Sequence, residues 1–268
     1  MTDPGYPTSL GVSTEATISL LGEDITDLMG SVGFGELAYW LMTLRRPSPG
    51  EARVLEAVLV ALADHGFTPT AIAARLTYLS APDSLQGAVA AGLLGGGSRF
   101  LGVTEDCGAF LAKVLERHTA EVPSSDDDTV GWDELGRVAV REAREAGSYV
   151  PGLGHPVHKV EDPRTPRLMA IAKEAGTLGP HLRLFGAIGR VHEEVLGRHL
   201  PLNGAGVCGA ALADIGIPLA MLRGVALLAR TAGLLGQLAE EQRRPVGMDV
   251  YLSVDRHATY VPPEEPRD

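Results

Sequence analysis

Apolar residues recur along this chain at steps of three and four, the spacing that lines one face of a helix. In Glu51 to His65 the stripe is Leu55, Val58, Leu59 and Leu62, with Pro49 before it and Gly66 after it as start and stop signals. Trp132 to Ala146 repeats the pattern through Leu135, Val138 and Val140. Arg167 to Ala175, Leu182 to Leu196 and Met221 to Glu240 read the same way. Alternating runs rich in Val, Ile and Thr are nearly absent; only Ala16 to Leu21 and Val250 to Val254 read as short strands. The predicted class is all-α.

Two polar interruptions suggest domain boundaries. Val122 to Thr129 (VPSSDDDT) reads as a solvated loop with a helix N-cap, in preference to a cation site, and His199 to Gly206 (HLPLNGAG) as a turn entering another helix. These place a small domain at 122–202 between the two parts of a larger one, 1–121 and 203–268. No internal repeat interrupts this plan.

Composition narrows the function classes. A hydrophobic share of 45% supports burial, and a net charge of -11 argues against nucleic acid, whose phosphates attract basic surfaces. The longest apolar runs, such as Leu55 to Ala63, fall short of the ~20 residues of a membrane helix, and no membrane partner is expected. Met1 to Thr8 lacks the basic and apolar regions of a signal peptide. The two cysteines, Cys107 and Cys208, make neither a disulfide framework nor a metal site, so a reducing cytoplasm is expected.

The candidate chemistry gathers in Val150 to Arg167, VPGLGHPVHKVEDPRTPR. Four prolines postpone a regular helix until after Pro166, which leaves a rigid loop able to hold an imidazole without an ordering cost. Arg164 and Arg167, near the next helix start, can meet an anion bidentately. His155 and His158 lack a Cys or carboxylate at ligand spacing, so no metal is expected. Gly152-Leu153-Gly154 matches a dinucleotide loop only weakly, since no strand precedes it. His65 closes the ADHG helix, where a capping role competes with a catalytic one.

These motifs together resemble the citrate synthase superfamily. ADHG at Ala63 to Gly66, GLLGGGSRFLG at Gly92 to Gly102, GLGHPVHKVEDPR at Gly152 to Arg164 and ARTAGLLGQLAEEQRRP at Ala229 to Pro245 follow its order, most closely that of its citryl-CoA lyase branch. The resemblance implies a two-domain, all-helical dimer that closes over a CoA thioester and a small polycarboxylate. It implies that His65 holds the oxaloacetate or citrate portion as acid or base, and that His155 faces the ligand's carbonyl or tertiary alcohol. Arg164 would bind a carboxylate, with Arg243 or Arg244 as a further contact. Gly152, Leu153 and Gly154 would approach CoA, Lys159 would meet its phosphates, and the thioester would be a substrate with no permanently bound cofactor.

Two departures stand out. Where synthases carry the histidine of GPAHGG, this chain reads GGSRFLG, with Phe100 or Leu101 at the place. Where the family carries the aspartate of N-V-D-G, this chain has Asn203-Gly204-Ala205-Gly206, and Ala205 cannot move a proton. Asp214, Asp106 and Glu105 are conceivable substitutes, each with a surface-charge alternative. Pro156, where synthases often have a polar residue, suggests an altered contact. The implied functions are therefore a citryl-CoA lyase-like enzyme, a citrate synthase-like condensing enzyme, or a CoA or polycarboxylate-binding homologue without catalysis.

Overall fold

The computed structural model describes residues 5–125 and 127–263; Asp126, one of the three aspartates of the VPSSDDDT loop, lies outside them. Among the described residues there are twelve α-helices and one small antiparallel sheet of order β1 (Gly11–Ser13), β2 (Ile18–Leu20), β3 (Glu23–Asp24). The helices are α1 (Ile25–Leu28), α2 (Phe34–Thr43), α3 (Pro49–Ala63), α4 (Pro69–Ser80), α5 (Leu85–Leu94) and α6 (Val103–Arg117). They continue with α7 (Thr129–Glu145), α8 (Arg164–Glu174), α9 (Pro180–Leu196), α10 (Gly204–Asp214), α11 (Leu222–Arg243) and α12 (Gly247–His257). The all-helical class stands.

Local chemistry explains the boundaries. Ser48 and Glu51 cap α3 reciprocally: the Ser48 N–H donates to the Glu51 carboxylate at 2.7 Å, and the Glu51 N–H donates to Ser48 Oγ at 3.3 Å. Helix α8 starts at Arg164, earlier than expected, because Pro166 sits in the first turn, where its missing N–H has no intrahelical partner to lose. Val250–Val254 is helical, within α12, and not a strand: its alternation of Val and Leu is overridden by the helix, whose Gly247 is buried.

Packing contacts divide the chain into two units, Met1–Leu62 with Ser98–Ala229, and Ala63–Gly97 with Arg230–Asp268. These cuts differ from the boundaries 121/122 and 202/203 read from the sequence. Polar residues mark 122–128 in the sequence, but Trp132, Leu135, Ala139 and Val140 of α7 bury their stripe in the same cluster as Leu55, Leu111 and Leu212. Within this first unit small residues allow close crossing. A Cβ on Gly209 of α10 would stand 2.1 Å from the Thr104 carbonyl of α6, and one on Gly136 of α7 would stand 3.1 Å from Ala187 of α9. Leu222, Val225 and Ala226 of α11 complete the core.

The second unit has its own smaller core, Ala74 and Ala88 against Leu234 and Leu238. Arg75 is buried there, donating to Glu241 at 2.7 Å, Glu240 at 2.8 Å and Gln237 at 2.7 Å, with its guanidinium over the Phe67 ring. The segment Leu219–Arg243 has mean hydropathy 1.4 and is long and apolar enough to cross a membrane, contrary to the expectation that none is. Leu222, Val225, Ala226 and Ala229 of this segment lie in the first core, and Leu234 and Leu238 in the second, while 33% of its most apolar window is buried.

Candidate active site

The Gly152–Arg164 loop lies wholly in the first unit and is fixed by a strap, Leu200–Asn203. Gly154 N–H donates to the Pro201 carbonyl at 2.7 Å, Asn203 N–H donates to the Gly152 carbonyl at 2.8 Å, and Leu153 bridges Leu202 antiparallel. The Asn203 side chain works in both directions. Its Nδ2 donates to the Gly154 carbonyl at 2.8 Å, while its Oδ1 caps α10 by accepting from Gly206 N–H at 2.8 Å. Gly152 has φ +85°, and a Cβ there would stand 2.8 Å from the Phe185 ring and 2.9 Å from Gly206 Cα. Both conformation and space demand glycine.

His155, half-buried, emerges from this turn. Its Nδ1 accepts from the N–H groups of Val157 at 3.0 Å and His158 at 2.9 Å. Two donors aimed at Nδ1 leave the ring proton on Nε2, so the neutral ring is a donor at that atom. The His158 ring lies 4.4 Å away, centroid to centroid, and Lys159 Nζ folds back on the His155 carbonyl at 3.0 Å.

Arg164 is held by Asp162, a residue to which the sequence reading gave no role. Nε and Nη2 donate to the two Asp162 oxygens at 3.0 and 2.7 Å, and Nη1 donates to the Ala61 carbonyl at 3.2 Å. The fully buried Asp162 carboxylate also accepts from Gly204 N–H at 2.7 Å. Burial alone would raise its pKa, but the Arg164 guanidinium and the Gly204 N–H win and hold it down to about 2. Of the five guanidinium N–H groups, three are committed to Asp162 and Ala61, which orients the remainder without ordering cost on binding. Gly204 is required by this arrangement: a Cβ would stand 2.2 Å from Arg164 Nε. Cys208 lies in the same electrostatic neighbourhood; burial pushes its thiol up to about 12, outweighing Arg164.

The three carboxylates considered as substitutes for a side chain at 205 are otherwise engaged. Asp214 is fully buried and caps α9, accepting from the N–H groups of Gly179, His181 and Leu182 and from the His181 ring. Glu105, in the first turn of α6, pairs with Arg223 at 2.7 Å, and Asp106 lies 3.9 Å from the same guanidinium. Ala205 is half-buried in the first turn of α10; Leu101 is buried and Phe100 half-exposed.

In the second unit, Asp64 proves structural, accepting from Gly66 N–H and Gln237 Nε2, each at 2.9 Å. His65 follows it, half-buried, after the last turn of α3. Gly233 of α11 supports this ADHG turn, since a Cβ there would stand 1.8 Å from the Ala63 carbonyl. Arg243 and Arg244 are exposed at the end of α11. The structure thus brings Gly152, Leu153, Gly154, His155, Lys159 and Arg164 together in one unit, and places His65 and Arg244 in the other.

Fold and loop define an all-helical protein that presents an imidazole donor and an anchored guanidinium from one rigid turn. The chain belongs to the citrate synthase family: the pattern of its C-terminal domain matches residues 33–247. Members of this kind are enzymes of the citrate synthase and citryl-CoA lyase type. Among solved structures, the citryl-CoA lyase of Hydrogenobacter thermophilus superposes with a TM-score of 0.83 at 28% identity, covering 98% of this chain and 96% of that one. The ATP citrate lyase of Methanothrix soehngenii, in complex with citrate and coenzyme A, superposes at 0.80 with 21% identity, over 99% of this chain and 43% of that one. The citrate synthase of Haloferax volcanii is 24% identical over 223 residues; these are 82% of this chain and only 54% of that protein.

Proposed function

We propose that this chain is a citryl-CoA lyase-type enzyme, cleaving a 3-hydroxy-polycarboxyl-CoA thioester to acetyl-CoA or another acyl-CoA and oxaloacetate or another keto acid. The observation that carries the reading is the pair of backbone N–H groups aimed at His155 Nδ1: a ring so held donates from Nε2, which stabilises negative oxygen and does not abstract protons. Arg164 would bind a carboxylate through its uncommitted N–H groups. His65 would accept the hydroxyl proton, and Arg244 would contact a second carboxylate. Gly152, Leu153 and Gly154 would pass beside CoA, and Lys159 would meet its phosphates on leaving the His155 carbonyl. The enzyme would act as a homodimer in the cytoplasm.

Ala205 bears on both directions alike, because cleavage crosses the transition states of condensation in reverse. Cleavage removes the hydroxyl proton, breaks the carbon–carbon bond and protonates the α-carbon of the enolate; condensation takes that proton back, and in either direction the carbon end needs water or another group in place of a side chain at 205. The choice of cleavage therefore rests on the likeness of the chain to a citryl-CoA lyase and not on Ala205.

A second reading, favoured by the same Ala205, is a CoA or polycarboxylate-binding homologue without catalysis. The test supplies citryl-CoA and follows oxaloacetate through NADH oxidation by malate dehydrogenase. Oxaloacetate release supports the lyase. Thermal stabilisation by CoA without turnover of any thioester in a panel supports the binding protein, because a ligand bound to the native state raises apparent stability. Free CoA from acetyl-CoA plus a keto acid, without cleavage, would instead reveal a condensing enzyme.

A further inference from the structure

The strap that holds the catalytic turn is itself held by a residue outside every motif of the family resemblance. His192, on α9, is 2% exposed. Its Nδ1 meets the carbonyls of Gly189 at 2.9 Å and Ile188 at 3.2 Å, so the ring proton sits there. Its Nε2 is consequently bare, and it accepts from the N–H of Leu200 at 2.9 Å. Leu200 is the first residue of the strap. From it the hydrogen bonds run without a gap: Pro201 carbonyl to Gly154, Leu202 beside Leu153, and Asn203 to Gly152 and Gly154. Thr165 Oγ1 adds one bond to the Leu202 carbonyl at 3.0 Å, but Leu200 has His192 as the acceptor for its N–H.

A surface helix face would need no imidazole at this place. A buried leucine would fill the volume and leave the Leu200 N–H unsatisfied, a cost that a shift of the strap would relieve. Such a shift would be transmitted to Gly152 and Gly154, whose left-handed backbone leaves little latitude, and so to the direction of His155 Nε2–H. We propose that His192 is a positioning residue, which sets the register of the Leu200–Asn203 strap and through it the aim of His155. Its kinetic consequences rest on the lyase reading; its structural consequences do not.

The experiment compares the full-length chain with His192→Leu and His192→Gln. Glutamine restores the pattern, with Oε1 as acceptor for Leu200 and Nε2 as donor to the helix carbonyl. Two readouts are taken: amide hydrogen exchange across 150–158 and 199–206, and kcat and KM for citryl-CoA cleavage. In His192→Leu, exchange of the Gly154 and Asn203 amides is expected to rise about tenfold or more while α7 stays protected, and kcat to fall roughly 10- to 100-fold with KM within about twofold, as misplacement by about 1 Å does. His192→Gln is expected to return both to within about threefold of the native chain. Native exchange and native kcat in His192→Leu would overturn the proposal, as would a glutamine variant as damaged as the leucine one. Should His192→Leu fail to fold, the glutamine variant decides: protected Gly154 supports the proposal, and an unprotected one refutes it. If the native chain cleaves no thioester, the lyase reading fails, and the exchange data still judge His192.

Discussion

The Gly152–Arg164 loop and the first turn of α10 are hydrogen-bonded to one another in a single unit, yet they keep different parts of the family pattern. The loop carries the groups proposed to act on a ligand, His155 and Arg164. The α10 turn retains only what the backbone needs: Asn203 to cap the helix and clamp Gly154, Gly204 to admit Arg164, and Gly206 to admit Gly152. Between these scaffold residues stands Ala205, whose methyl group can neither bind an anion nor move a proton. Residues fixed by steric and hydrogen-bonding demands persist whether or not the chemistry does, so their presence speaks for the fold, and the proposed chemistry rests on His155 and Arg164 alone.

The largest way to break this contrast is Gly152→Ala, which combines left-handed strain with collision against Phe185 and Gly206. A loss of about 3–5 kcal/mol is expected in urea unfolding, the sum of strain and overpacking terms. A change below about 1 kcal/mol would mean the turn is not so constrained.

Next comes Asp162→Asn. The folded carboxyl, held at about 2 against an ordinary 3.8, gives stability that is complete above the ordinary value and is lost as pH falls toward 2. The variant should be about 2 kcal/mol less stable at neutral pH, and the gap should close between roughly pH 4 and pH 2. A gap independent of pH would show that the charge is not what matters.

Ala205→Asp sharpens the comparison from the other side, by returning a carboxylate to a helix N-terminus that favours it. Condensation of acetyl-CoA with oxaloacetate should rise at least about tenfold, a conservative share of what one positioned base supplies. An unchanged rate would show that position 205 does not face the reacting carbon.

The smallest effect is Asn203→Ala, which removes one helix cap and should lower stability by about 1 kcal/mol. Faster exchange of the Gly154 amide should accompany it, and unaltered exchange there would deny Asn203 its clamping role.

Helical periodicity made α3, α7, α8, α9 and α11 legible, because each carries one apolar stripe against one core. It was silent on α10, where small residues are buried on nearly every side and no stripe exists. The polar 122–128 loop looked like a domain boundary because composition reports solvent contact, whereas unit membership depends on where α7 buries Trp132 and Leu135. His155 and Arg164 could be singled out from an imidazole and a guanidinium among prolines. Asp162 was signalled only by its place two residues before Arg164, and His192 not at all, since its partners Gly189 and Leu200 are ordinary residues whose backbone does the work.

The most direct test measures citryl-CoA cleavage by the native chain and by His155→Ala at equal thermal stability. Native turnover with release of oxaloacetate, reduced by about 100-fold or more in the variant, is the predicted result, the size expected when one donor to a developing oxyanion is removed. Turnover that survives His155→Ala unchanged would contradict the role assigned to its Nε2–H.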